Sequence, residues 1–308
     1  MILLFAALLP CVVWEGSPAA ISSLQALHIV RICAAGAAAK GSKPPSLNVE
    51  EMDPAKMVRI SGPTVSFRGN VASPSRRPWV TLNGWRYLRQ PEAKFYVTAT
   101  PENAALAAAE AFSYGADAAI KTDDAGIDSL GQMIDFLRSV GESDLPALAN
   151  LGYIDDGSPE SGEFMNLLVR RNLLFKMVSQ PDPSLAVNVK IGEPLYPRSE
   201  ASNPKLLTEK VRAVVTDPKR LIRVYGTDVV IGRLLGNDGS DRLYLINYGG
   251  SRHPVPGLRV RVLGEFRWQH AVQFGRGSVP LQDVAVRDGA TEFTIPHLGL
   301  FALVDLKR

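Results

Sequence analysis

The sequence is poor in the residues that usually announce a chemistry. It has two cysteines, Cys11 and Cys33, both near its start, and they provide neither a disulfide framework nor the spacing of a cysteine metal site. Its four histidines, His28, His253, His270 and His297, are scattered with none four residues from another, so the H-E-x-x-H zinc pattern is absent. An excess of one charge is lacking too. Lys and Arg number 34 against 31 Asp and Glu, a formal +3 over 308 residues. No basic stripe is interleaved with aromatics, which excludes the electrostatic footprint of a nucleic-acid binder. No apolar run is long enough to span a bilayer. The one that opens the chain, Ile2 to Val13, is interrupted by Pro10. Its length suits the apolar region of a secretory signal spanning residues 1–19, with Ser17 and Ala19 as small residues before a cleavage point, although no Lys or Arg precedes it. The alternative is a buried strand. The first reading makes the protein secreted or periplasmic, without stable membrane insertion.

What is present is a change of texture. With 46% hydrophobic and 21% charged residues the composition is that of a soluble globular protein, long enough for two domains. Residues 20–78 form a poorly patterned N-terminal extension: "CAAGAAAKGSKPPS" and "NVASPSRRP" are loops around the weakly strand-like "MVRISGPTVSFRG". From Trp79 the pattern sharpens. "WVTL", "KFYVTA", "ADAAIKT", "ALANLGYI" and "LLFKMV" read as strands. "PENAALAAAEAFSY" reads as a helix, with Thr100 as N-cap, Pro101 at its first position and Gly115 beyond its end. "SLGQMIDFLRSVG" puts Leu130, Met133, Ile134, Leu137 and Val140 on one helical face. "GEFMNLLVRRN" is helical as well, whereas "NGWRYLRQPEA" and "QPDPSLAVNVKIG" read as connections. The alternation predicts βα units and a largely parallel sheet over residues 79–216.

Residues 217–308 instead carry short alternating runs, "LIRVYG", "VVIGRLL", "RLYLINYG", "LRVRVLGEF", "TEFTIP" and "LFALVDL", separated by turns such as "GNDGSD" and "RDGA". Leu258, Val260 and Val262 alternate with Arg259 and Arg261, the mark of a half-buried antiparallel strand. This part predicts a β-sandwich, with Tyr244, Tyr248 and Trp268 as core or inter-sheet residues. The expected fold class is therefore α/β followed by all-β, a parallel sheet with a C-terminal antiparallel β-sandwich; a resemblance carried by three segments implies that the parallel sheet is an incomplete barrel or flavodoxin-like.

Three segments carry a resemblance. "AAAEAFSYGADAAIKTD" looks like a late helix and strand of a (β/α)8 barrel, up to about residue 145. "NLGYIDDGSPESGEFMNLLVRRNLLFKMV" looks like the opening βαβ of a flavodoxin-like domain. "RLYLINYGG…GLRVRVLG…TEFTIPHLGLFALVDL" is similar to a terminal β-domain. In that order they resemble the C-terminal part of β-galactosidase-like multidomain glycoside hydrolases. A complete barrel needs about 250 residues, more than precede Asn150, so the resemblance implies a shortened relative and descent from a carbohydrate-active enzyme more than activity. It implies carboxylate-based acid/base hydrolysis without a cofactor or metal, and carbohydrate as partner. A homo-oligomer is compatible with it.

Hydrolysis of a glycoside uses two carboxyl groups flanking the bond, about 5 Å apart in retaining enzymes and roughly 6.5–9.5 Å in inverting ones. Asp123 with Asp124 and Asp155 with Asp156 are the candidates. Neighbours on extended chain point to opposite faces, so one member of each pair, such as Asp123 with Asp155 at two strand ends, makes the more sensible couple. In "IDDGSPESGE" the residues fit a helix start better than a working acidic site: Ser158 caps a helix from Pro159, or Ser161 one from Gly162. "WVTLNGWRYLRQP" offers Trp79, Trp85 and Tyr87 to stack on sugars and Asn83, Arg86 and Arg89 to bond hydroxyls. Its substrate-binding candidates are Asn83, Trp85, Arg86 and Tyr87. The plainer alternative makes Trp79 core and Trp85 a loop anchor.

Overall fold

A computed structural model describes residues 9–15, 24–26, 29, 31–36, 48–67, 77–141 and 143–308. The expected signal segment falls largely outside the described residues. No described helix is long and apolar enough to cross a membrane. The chain divides into two compact units: Met1–Thr64, Thr81–Asn83 and Gln90–Asp144 form one; Val65–Val80, Gly84–Arg89 and Leu145–Arg308 form the other.

The first unit is an all-parallel sheet. Its strands are β1 (Cys11–Trp14), β2 (Arg31–Ala35), β3 (Asn48–Met52), β4 (Val58–Ser61), β7 (Lys94–Thr98) and β8 (Asp117–Lys121). They stand in the order β3-β2-β1-β8-β7-β4. The first strand therefore pairs with the last, Val12 beside Ile120, as in a (β/α) barrel. From β1 the order runs to β2 and β3; from β4 it returns through β7 and β8. The ring stays open, with no pairing of β3 with β4 among the described residues. Residues 20–78, which lack a legible period, thus supply β2, β3 and β4. Of the opening apolar run, Cys11, Val12 and Val13 belong to β1, which lies between β2 and β8.

Helix α2 (Ala104–Ser113) is buried along its whole length, including Glu110, because alanine lets it sit against the sheet and a second helix at once. That partner, α3 (Asp124–Val140), buries Leu130, Met133, Ile134 and Leu137 of the expected face, while Val140 at its end is half-buried. Thr100 does not cap α2. Asn103 donates its backbone N–H to Thr100 O at 3.1 Å, closing a turn before the helix begins at Ala104. Gly115 takes φ +65° just beyond the helix end, a conformation that glycine adopts without strain. Cys11 and Cys33, which the sequence did not support as a disulfide framework, lie on adjacent strands with Cα atoms 5.8 Å apart and form a disulfide.

The second unit contains a small parallel sheet and a sandwich. Strands β9 (Leu151–Ile154), β10 (Phe175–Met177) and β11 (Val187–Lys190) are ordered β10-β9-β11. β9, α4 (Pro159–Arg170) and β10 make the expected parallel βαβ unit, with Phe175 beside Leu151. α5 (Pro204–Val215) packs against α4 and β11. Two segments read as connections are regular: β11 itself and a short helix α1 (Gly84–Arg89), which rests on α4 and β10. The short strands β5 (Thr64–Ser66) and β6 (Trp79–Thr81) pair as a ribbon.

The sandwich has antiparallel sheets. One orders β12 (Ile222–Val224), β15 (Val255–Leu263), β19 (Ala290–Leu298) and β18 (Gln282–Arg287). The other orders β13 (Val230–Gly236), β14 (Ser240–Asn247), β20 (Phe301–Lys307), β16 (Trp268–Gln273) and β17 (Gly277–Val279). Leu258, Val260 and Val262 are buried, as their alternation requires. Arg261, on the opposite face, is buried too; its guanidinium donates to Pro218 O at 3.0 Å. Tyr244 and Tyr248 are core residues, but Trp268 is 46% exposed, with the Lys307 ammonium 4.8 Å from its ring centre.

Candidate functional site

The acidic stretch after β9 is held by hydrogen bonds. Ser158 is the N-cap of α4 and Pro159 its first residue; the Ser158 hydroxyl accepts from Ser161 N–H at 3.2 Å. Asp155 is clamped by Arg89, whose Nε and Nη2 donate to its two oxygens at 2.7 and 3.0 Å. It also accepts from Gly157 N–H at 3.1 Å. Asp156 accepts from the Ser158 N–H at 3.0 Å, from the Ser158 hydroxyl at 2.6 Å, and from Arg198. Partial burial opposes its ionisation, yet the bonds from Ser158 and Arg198 outweigh that and hold its carboxyl well below the usual range. Such a group is a fixed anion, not a proton donor near neutrality.

Asp123 and Asp124 belong to the first unit and Asp155 and Asp156 to the second. Asp123 directly precedes α3, and its side chain makes no capping bond. Both Asp123 and Asp124 are exposed beyond the C-terminal end of β8.

The aromatic candidates separate by burial. Asn83 is 3% exposed; its amide donates to Ser61 O at 2.9 Å and its backbone N–H to Glu110 at 2.7 Å. Tyr87 is 2% exposed, on the inward side of α1. Trp85 lies against Gly162 of α4: a Cβ there would stand 2.9 Å from its ring, and the Arg86 guanidinium is 4.2 Å from the ring centre. These side chains are built into the packing. Trp79 is the open ring instead, at 39% exposure, which reverses its expected place in the core. Burial on β6 falls to its neighbour Val80, so strand alternation turns Trp79 outward.

Trp79 lines a cavity of about 650 Å³ within the second unit. The Arg170 guanidinium lies 3.9 Å from its ring centre, a cation–π contact. α4 adds Glu163 and Asn166, whose amide donates to Glu163 at 3.4 Å. The start of α5 adds Lys205 and Glu209, 3.8 Å apart. Arg77 and Asp228, 3.7 Å apart, complete the rim. Glu163 and Glu209 carry no motif that distinguishes them from solvated helix residues, so sequence alone does not find them. The one available signal was the alternation that faces Trp79 away from Val80.

No known family model matches the sequence, and no curated protein sequence matches it. Among solved structures the chain is similar to alpha-L-fucosidase isoenzyme 2 from Paenibacillus thiaminolyticus, with a TM-score of 0.54 at 9% identity over 72% of this chain and 62% of that one. The chain has a glycoside-hydrolase-like fold. It spans less than two thirds of the fucosidase. A GH42 beta-galactosidase from G. stearothermophilus matches at TM-score 0.42 and 6% identity, over 70% of this chain and 54% of that one. The beta-galactosidase from Bacillus circulans sp. alkalophilus matches at 0.42 and 9%, over 67% and 52%. At such identities the likeness is one of fold, and function rests on the site.

Proposed function

We propose that the chain is a glycoside-hydrolase-like protein of carbohydrate metabolism outside the cytoplasm, and that its second unit binds saccharide in the Trp79 cavity. One observation carries the reading: an indole 39% exposed, with the Arg170 guanidinium 3.9 Å from its ring centre, stands among carboxylate, amide and guanidinium groups in a cavity of about 650 Å³. A sugar ring offers an apolar C–H face for an indole to cover, and a rim of hydroxyls for those polar groups to bond. The glycoside-hydrolase-like fold supports carbohydrate as the ligand class. The Cys11–Cys33 bond supports an oxidising compartment. Titration calorimetry with neutral oligosaccharides tests the reading. Trp79→Ala is expected to weaken binding about tenfold, equivalent to about 1.4 kcal/mol. An unchanged affinity in that variant, or no binding by the native protein, counts against it.

A second reading is hydrolysis. It is favoured by the exposure of Asp123 and Asp124 beyond a parallel strand, where ligands of α/β sheets bind. Turnover of aryl glycosides that is lost in Asp123→Asn or Asp124→Asn would establish it; no turnover by the native protein would dismiss it.

A further inference from the structure

A second cavity, of about 630 Å³, shares Arg77, Pro78 and Asp228 with the Trp79 cavity. Its floor is an arginine cluster around one carboxylate. α5 ends at Val215, and Thr216 at φ +59° turns the chain so that Asp217 comes back beside the last helical turn. There Asp217 meets Arg212 Nη2 at 3.2 Å, Arg220 Nη1 at 3.3 Å and Arg223 Nη2 at 3.5 Å. Arg220 is the buried member: its side chain is 11% exposed, and it also donates to Arg171 O at 2.6 Å. The side chains of Arg212 and Arg223 are 37% and 28% exposed, and the Arg223 guanidinium lies 4.8 Å from the Tyr225 ring centre.

The charges around this cavity do not balance. Its lining carries four guanidinium groups, of Arg77, Arg212, Arg220 and Arg223, against the two carboxylates of Asp217 and Asp228. Burial disfavours the charged form of Arg220, and repulsion from Arg212 and Arg223 adds to that, so its pKa is lowered despite Asp217. A cluster serving stability alone gains little from three cations on one anion. An incoming oxyanion would relieve the repulsion, and the planar fork of arginine matches a carboxylate or sulfate with two parallel hydrogen bonds.

The geometry points to an acidic saccharide as the ligand: a carboxylate or sulfate on one sugar is held by Arg212 and Arg223, while a neighbouring sugar lies on Trp79. This rests on the saccharide-binding reading of the Trp79 cavity and narrows its ligand class. Three probes test it by calorimetry: an oligogalacturonide, its carboxyl-reduced neutral counterpart, and a sulfated galactan oligosaccharide. At least one acidic probe is expected to bind tenfold or more tighter than the neutral one, and the tighter of the two identifies the oxyanion. The preference should disappear in the Arg212→Gln/Arg223→Gln variant, which keeps neutral binding, whereas Trp79→Ala weakens both. In the native protein, raising NaCl from 50 to 200 mM should weaken the acidic probe selectively, a readout that needs no variant. Equal binding of all three probes, or an acidic preference insensitive to salt, overturns the inference and leaves the saccharide reading standing. Binding of none overturns both.

Discussion

Replacing Gly162 with alanine asks whether Trp85 is a packing element or a movable ring. Gly162 lies in the first half of α4, where alanine would be favoured over glycine by about 1 kcal/mol on helix propensity. Its Cβ would stand 2.9 Å from Trp85 Cζ3, 3.0 Å from Trp85 Cη2 and 3.1 Å from Arg89 Nη1. Neither neighbour moves freely. Trp85 carries the Arg86 guanidinium 4.2 Å from its ring centre, and Arg89 is tied to Asp155 at 2.7 and 3.0 Å. Overpacking a filled contact costs about 1–3 kcal/mol. With both neighbours restrained, the upper part of that range applies, and the net loss is about 1–2 kcal/mol, a few degrees in Tm. Thermal melts of Gly162→Ala, Trp85→Leu and the double variant measure it. The clash is absent in the double variant, so the two changes should couple by about 1 kcal/mol or more. A raised Tm for Gly162→Ala with no coupling would refute the reasoning, since propensity would then have won over a ring that swings aside.

Two further predictions concern stability. Asp241 is 2% exposed, with the Arg308 guanidinium at 3.9 Å, and burial lifts its carboxyl from 3.8 to about 6. The folded state holds this proton more tightly, so the contribution is present below about pH 4 and lost as pH rises through about 6; Asp241→Asn should stabilise by up to about 3 kcal/mol at pH 7.5 and little at pH 4, and urea melts showing an equal effect at both would exclude burial as the cause. Reducing the Cys11–Cys33 bond, which spans 22 residues, should cost roughly 3 kcal/mol, read as a lower melting temperature with reductant that the Cys11→Ser/Cys33→Ser variant reproduces without it; a melt indifferent to reductant would deny the crosslink any role in stability.

Much of the architecture was legible because its elements carry a period. The face of α3, the alternation of β15 and the Ser158–Pro159 start of α4 each follow from local chemistry that the structure repeats. The parallel strands of the first unit were not legible before Trp79. A strand buried on both faces shows no alternation, so Cys11–Trp14 reads as well for the tail of a signal region as for a central strand. Its partner Arg31–Ala35 is short, mostly small and followed in the sequence by further Gly and Ala, which hides it entirely. The pairing of Cys11 with Cys33 depends on register between these two strands, which sequence spacing does not contain. "NGWRYLRQ" misled for a different reason: the fold accepts α1 because Gly162 lets Trp85 sit on α4, a tertiary permission invisible in the segment itself.

The site was less legible than the fold because its charges are distributed by tertiary contact. The most conspicuous acidic stretch, Asp155 to Ser158, has its oxygens committed to Arg89, Arg198 and local N–H groups. A general acid instead needs a carboxyl kept protonated by a dry or like-charged setting, and Asp156 is driven the other way. The Trp79 cavity gathers a part-exposed indole and helix-borne carboxylates, next to a cavity whose lining holds more arginines than carboxylates. Groups of that kind would act through faces and charge and require no shifted proton, which favours the proposed saccharide binding over hydrolysis in the second unit. An Asp155→Asn/Asp156→Asn variant separates the two functions: saccharide affinity should survive it, because neither residue lines the Trp79 cavity, while the start of α4 loses stability through the broken Arg89 clamp. Loss of affinity in a variant that still folds would return the acidic stretch to the binding site.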